Sequence, residues 1–184
     1  MARRAVFQRR QAAWARTLAR ALWLGLALAL PARATEQPEY RLKAAFLYNF
    51  AAFTEWPADA PVTIQLCIVG ADPFGKEIDL VRGKAFGARS LAVQLRPVPD
   101  ALAGCQMVFV SAALMPQLPR LLDTLRGRPV LTVADSPGAV QQGVALNMVV
   151  QQGRVAFEAN LTAARGAGLD LSSKLLRLAT EVIQ

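Results

Sequence analysis

Met107 to Val110 reads MVFV, an apolar run with no polar face. A strand of that kind belongs in the middle of a sheet covered on both sides. The segments around it agree. Val62 to Val69 (VTIQLCIV) alternates and is rich in β-branched residues, and Ser90 to Leu95 and Pro129 to Val133 read as further strands. Helical patterns separate them. One opens after the GADPFG loop and runs around Phe74 to Val81; the other runs from Leu114 to Leu125, with Leu118, Leu121, Leu122 and Leu125 on one face. Strands alternating with helices predict an α/β fold, a three-layer αβα sandwich with a largely parallel sheet.

The two ends of this pattern differ from its middle. From Tyr40 the spacing is helical, with Leu42, Phe46, Leu47, Phe50 and Phe53 as the apolar stripe and Arg41, Lys43 and Asn49 mostly off it. Trp56-Pro57 stops that helix, because the residue before proline avoids the α region. Late in the chain, Gly143 to Val150 and Arg154 to Ala159 flank Gln151-Gln152-Gly153, which predicts a hairpin. A short helix follows at Leu161 to Arg165. Ser172 or Ser173 is expected to cap a last helix reaching about Ile183, with Lys174, Arg177 and Glu181 on its outer side.

The net charge of +8 suggests nucleic acid or an acidic membrane surface as partner, but the charge is concentrated at one end. Arg3, Arg4, Arg9, Arg10, Arg16, Arg20 and Arg33 precede residue 35, and no acid does. An apolar run, Ala21 to Leu30, and the small residues around Arg33 complete the pattern of a cleavable signal peptide over residues 1–34. Ten residues of helix reach only about 15 Å, half a bilayer core, so an anchor fits less well. Arg3-Arg4 loosely resembles a twin-arginine signal. Cleavage removes seven arginines and takes the formal charge from +8 to about +1. The nucleic-acid reading goes with the leader. Residues 35–184 then form one domain, expected to be exported to an oxidising compartment.

Chemistry is constrained by what the chain lacks. It has no histidine, which excludes Ser-His-Asp and Cys-His catalysis and His-ligated zinc. Two cysteines cannot build a four-cysteine metal site, and no phosphate-binding glycine signature or nucleophile elbow occurs. No catalytic residue, metal or cofactor is therefore assigned. The chain is expected to act by binding rather than as an enzyme.

Three sets of residues stand out. Cys67 lies within one strand and Cys105 just before another, and neighbouring strands would bring them together. A bond would close a loop of about 39 residues, on the order of 4 kcal/mol in the chain-entropy model. Export favours that bond; two buried thiols and a redox switch are the alternatives. Glu158 sits at the end of a mostly apolar strand. With Asn160, Lys174 and Arg177 it is expected to form a structural polar network, its partner being Lys174, Arg177 or the free amides of a helix start; a solvated residue at the sheet edge is the alternative. Asn160-Leu161-Thr162 also matches a glycosylation sequon, a triplet common by chance. Tyr40, Tyr48 and Trp56 are the aromatic candidates for an interface, core packing being the alternative for each.

Together these segments resemble a known family. Tyr40 to Pro57 (YRLKAAFLYNFAAFTEWP), Ile68 to Gly75 (IVGADPFG), Pro129 to Asp135 (PVLTVAD) and Phe157 to Ala179 (FEANLTAARGAGLDLSSKLLRLA) are similar to the signatures of the YfiR family. The resemblance implies a periplasmic, non-enzymatic regulator. It implies an inner-membrane diguanylate cyclase whose periplasmic domain is bound and held inactive, with cyclic di-GMP and biofilm formation downstream. An OmpA-like outer-membrane lipoprotein that sequesters the regulator is a further implied partner, as is a homodimer. A sensor kinase could replace the cyclase, and a small-ligand-binding or sensor module is the alternative reading. Cys67 and Cys105 look like the family's main cysteine pair. A second pair found in some members has no counterpart near Ala139 to Leu146.

Overall fold

The computed structural model describes residues 36–96 and 102–184. The signal-peptide expectation over residues 1–34, and most of the Pro97–Ala103 connection, lie outside the described residues. Glu36–Gln184 form one compact unit.

Helix α1 (Glu36–Ala52) is followed by the two-residue strand β1 (Thr54–Glu55). The chain supplies its own cap there. Thr54 Oγ1 donates to Phe50 O and Trp56 Nε1 donates to Ala51 O, satisfying carbonyls that the helix end leaves open. Then come β2 (Thr63–Val69), a 3-10 turn at Gly75–Leu80, β3 (Ala85–Phe86), β4 (Arg89–Arg96) and β5 (Met107–Val110). A second 3-10 turn, Ala112–Gln117, leads into α2 (Leu118–Leu125). Next are β6 (Leu131–Ala134), the hairpin β7 (Leu146–Gln151) and β8 (Arg154–Asn160), and α3 (Leu161–Gly166). The chain closes with β9 (Asp170–Leu171), α4 (Ser173–Leu176) and β10 (Glu181–Ile183).

Eight strands form one sheet in the order β10-β8-β7-β6-β5-β2-β4-β3. The β7–β8 and β3–β4 pairs are antiparallel; every other pair in it is parallel. The apolar run MVFV is β5, buried at every residue near the centre, beside the equally buried β6. Strand alternation divides the core in two. Leu66, Ile68, Met107, Phe109, Leu131 and Val133 face α1 and the first 3-10 turn. Cys67, Val69, Val108, Val110 and Ala134 face α2 on the other side. The fold is the expected α/β sheet with helices on both faces.

Three local readings need correction. The segment after the GADPFG loop is a six-residue 3-10 turn, not an α-helix, and Asp72 Oδ1 accepts from Phe74 N to start it. The last helix stops at Leu176 and does not reach Ile183. Thr180 donates to Phe157 O through both its amide and its hydroxyl, which hooks the chain onto the free edge of β8. Thr180, Val182 and Ile183 are β-branched, and an unpaired strand edge outweighs the helical spacing of the leucines before them. Arg177 and Glu181 are therefore not successive turns of one helix. Finally, α1 buries Lys43, Ala44, Leu47, Phe50 and Ala51, while Leu42 and Phe53 are exposed. The inner face therefore runs through Ala44, Leu47, Phe50 and Ala51, and the two ends of the expected stripe, Leu42 and Phe53, lie off it.

Candidate functional site

The turn of α1 toward Ala44 carries Lys43 inside, where it is 4% exposed. A buried ammonium needs partners. Lys43 Nζ lies 2.8 Å from Asp135 Oδ2 and 2.7 Å from Glu39 Oε1. Tyr40 Oη donates to the same Asp135 Oδ2 at 3.1 Å. Burial pulls the Lys43 pKa down, but hydrogen bonds to Asp135 and Glu39 outweigh it and hold the group above its ordinary value. Burial, followed by the charge of Asp135, raises Tyr40.

Asp135 directly follows β6, so this cluster lies at the carboxyl end of the parallel strands. The connections after β2 and β5 leave that end toward opposite faces, as Phe74 and Ile78 join one core and Leu114 and Leu118 the other. Such a divergence is where open α/β sheets form their crevice. Gly70, with φ +91°, ends β2 where a Cβ would collide with Ser111 Oγ beyond β5. A cleft of about 570 Å³ opens at the same end of the sheet, past β5, β6 and β7, between Glu39, Tyr40 and Lys43 on one side and Ala112, Pro137 and Gly138 on another, with Met148 to Val150 and Glu158 completing it. That volume is in the range of small-molecule sites.

Glu158 is partly buried, and its partner is neither of the two cations expected. Asn147 Nδ2 donates to Glu158 Oε2 at 3.0 Å, and Asn147 Oδ1 accepts from Ser136 N. Lys174 and Arg177 are exposed on and beside α4, and neither bonds to Glu158 among the described residues. The strand beside Glu158 on that edge of β8 is β10, with Glu181 opposite it. Asn160 belongs to another contact set. Its Oδ1 accepts from Ala163 N to cap α3, and its Nδ2 donates to Val140 O. The sequon amide is thus buried and engaged. The four residues expected to share one network do not.

Cys67 and Cys105 are joined by a disulfide. The expected neighbour relation holds, since β2 and β5 pair with Cys67 opposite Val108. The aromatic candidates use their polar ends inside the fold: Tyr40 on Asp135, Tyr48 Oη on Ala85 O, and Trp56 Nε1 on Ala51 O. Their rings pack against the α1-side core and remain half-buried.

Sequence reasoning missed Lys43, Asp135 and Asn147. Lys43 precedes Ala44, and Ala44, Leu47 and Ala51 recur at spacings of three and four, which was the available signal for the buried face. Asp135 read only as the start of a turn.

The chain matches the YfiR/HmsC-like family over residues 40–180. It belongs to that family. The match takes in α1 from Tyr40 onward, the sheet up to the approach to β10, and both Lys43 and Asp135. Among solved structures, the fold is similar to a conserved domain protein from Vibrio cholerae O1 biovar eltor, with a TM-score of 0.54 and 9% identity. The alignment covers 78% of this chain and 60% of that one, so the chain spans well under two thirds of that protein's length. At that identity the likeness concerns the fold alone. Among the described residues, no helix is long and apolar enough to cross a membrane.

Proposed function

We propose that this YfiR/HmsC-like chain is an exported, periplasmic regulatory binding protein. It represses an inner-membrane signalling receptor, a diguanylate cyclase, by binding the receptor's periplasmic domain and favouring its inactive state. Cyclic di-GMP and biofilm formation follow on the far side of the membrane. The observation that carries this reading is the family match over residues 40–180. The buried disulfide supports it, because such bonds persist in oxidising compartments. The mechanism is occupancy: a ligand that prefers one receptor state shifts the equilibrium by its differential affinity, and removing it reverses the shift. Removal belongs in this reading to an OmpA-like outer-membrane lipoprotein, and the working form is a homodimer. The half-exposed faces of Tyr48 and Trp56 are offered as part of the docking surface.

Immobilised protein should retain the periplasmic domain of the cognate cyclase, and deletion of the gene should raise cellular cyclic di-GMP. No retention, with unchanged cyclic di-GMP, defeats the cyclase version. The cleft at the carboxyl end of the sheet favours a second reading, a small-ligand sensor serving a sensor kinase. A metabolite-dependent rise in melting temperature, absent in a variant with a filled cleft, is its mark.

A further inference from the structure

The cleft has a wall that the ion pair does not explain, the backbone of β7. Strand β6 pairs with β7 only as far as Ala134 opposite Asn147. The next free amide, Ser136 N, turns aside to Asn147 Oδ1 and does not continue the ladder. Strand β7 nevertheless runs on to Gln151, held on its other side by β8.

The antiparallel register fixes which groups are left over. Asn160 N donates to Ala145 O, so Ala145, Asn147, Val149 and Gln151 exchange hydrogen bonds with β8. Met148 and Val150 turn their amides and carbonyls the other way; the Met148 amide makes the last rung to β6, on Ala134 O, and the Met148 carbonyl and both backbone groups of Val150 are left toward the cleft they line. Beyond Asn147 no strand among the described residues meets that edge. Val150 is also 51% exposed, a large apolar side chain at the rim. An open strand edge inside a walled cleft is the geometry that accepts an added strand.

Charge specifies the guest. Glu39, Asp135 and Glu158 contribute three carboxylates to the lining, against the single ammonium of Lys43. Asp135 is engaged by Lys43 and Tyr40, whereas Glu158 Oε1 accepts no hydrogen bond among the described residues. We propose that the free edge of β7 at Met148–Val150 takes an extended segment of a partner protein as an added strand, with a Lys or Arg of that segment placed on Glu158. Backbone hydrogen bonds supply the affinity and the acidic lining selects the basic side chain. The proposal rests on the reading of the chain as a binding protein, but not on which receptor it serves.

The test uses the full chain and an acetylated, amidated heptapeptide that alternates Thr and Val around a central Arg. Titration followed by backbone amide shifts should move Met148 to Gln151 and the Glu158 region. Replacing the central Arg by Glu should weaken binding at least about 10-fold. N-methylation on one alternate set of peptide amides should weaken it about 10-fold, and methylation on the other set should leave it unchanged. Val150→Pro should abolish binding without disturbing the β8 ladder, because the Val150 amide is not used there. The methylated peptides keep the conclusion decisive if that variant fails to fold. No shift at β7 with millimolar parent peptide overturns the proposal. So does equal binding of the parent and both methylated forms, which leaves a simple cation site. No receptor is present, so failure here leaves the receptor-retention result standing.

Discussion

The two faces of the sheet are built differently. On the α1 side the core is aromatic. Phe50 and Phe157 meet at 5.1 Å between ring centroids, Phe74 and Phe109 at 4.9 Å, and Phe46 packs on both Phe50 and Phe157. On the α2 side the buried cluster contains Val, Leu, Ala and the two cysteines, and no aromatic residue among the described ones. The covering helices differ to match, with 17 residues in α1 and eight in α2. A long helix can trap large rings and hold its face by packing. A short helix buries less, and there a covalent tie from β2 to the segment before β5 adds what packing does not.

That contrast can be broken by removing one large ring and the covalent tie separately. Phe157→Ala should cost about 4 kcal/mol, in the usual range for a buried Phe, and by the same amount in oxidising and reducing buffer. Replacing both Cys67 and Cys105 by Ala should also cost about 4 kcal/mol against the oxidised protein. Against the reduced protein that cost should nearly vanish. Urea unfolding midpoints with and without reductant measure both. If the cysteine variant loses stability equally in both buffers, the α2 face depends on the packing of those side chains and not on the bond.

The α1 face also carries the one buried charge cluster among the described residues, which packing alone does not require. Lys43→Ala should cost about 3 kcal/mol, because it strands the buried Asp135 carboxylate. Lys43→Met combined with Asp135→Leu should come out close to neutral, since paired apolar replacements often do. The pH dependence follows from the two raised groups. Lys43 and Tyr40 hold their protons in the folded state above their ordinary values of 10.5 and 10.0, so the unfolded chain releases protons first as pH rises. The unfolded state then binds fewer protons, and stability falls with pH. This contribution is fully present below about pH 10 and is lost through the alkaline range above it. Urea midpoints at rising alkaline pH should decline more steeply for the parent than for the Lys43→Met, Asp135→Leu pair. Parallel curves remove the cluster from the pH response.

How much of this was legible in the sequence depended on whether a segment's own pattern or its neighbours decided its state. MVFV, VTIQLCIV and the Gln151-Gln152-Gly153 hairpin are self-sufficient signals, and they gave β5, β2 and the β7–β8 pair. Adjacency of β2 and β5 made the cysteine pairing readable as well. The last helix failed because the free edge of β8, set by distant residues, recruits Thr180 to Ile183. Glu158 was visible as a carboxylate in an apolar strand, but its partner Asn147 is fixed by cross-strand register, which spacing on one helix cannot supply. Lys43 was misplaced because exposed Leu42 and Phe53 outweighed buried Ala44 and Ala51 when apolar size was used to locate the stripe. The lysine and the acid of the cleft lie on α1 and after β6, far apart in sequence, and only the crossover of the sheet brings them together.

The smallest effects concern the point where the two faces are tied by hydrogen bonds. Asn160 caps α3 on the aromatic side through Ala163 N, and its amide reaches Val140 O, next to Ala139 of the second cluster. Ser172 Oγ accepts from Leu175 N at 3.3 Å to cap α4, and that side chain makes no other hydrogen bond among the described residues. Asn160→Ala should therefore cost about 2 kcal/mol, one part for the lost cap and one for the unpaired Val140 carbonyl. Ser172→Ala should cost about 0.5–1 kcal/mol, the cap alone. Asn160→Ser separates the parts, since serine can cap α3 but cannot reach Val140. An unfolding midpoint for Asn160→Ser between those of the parent and Asn160→Ala shows that Asn160 joins the two faces. If Asn160→Ser matches the parent, the bond to Val140 is worth nothing, and the faces are joined by the sheet alone.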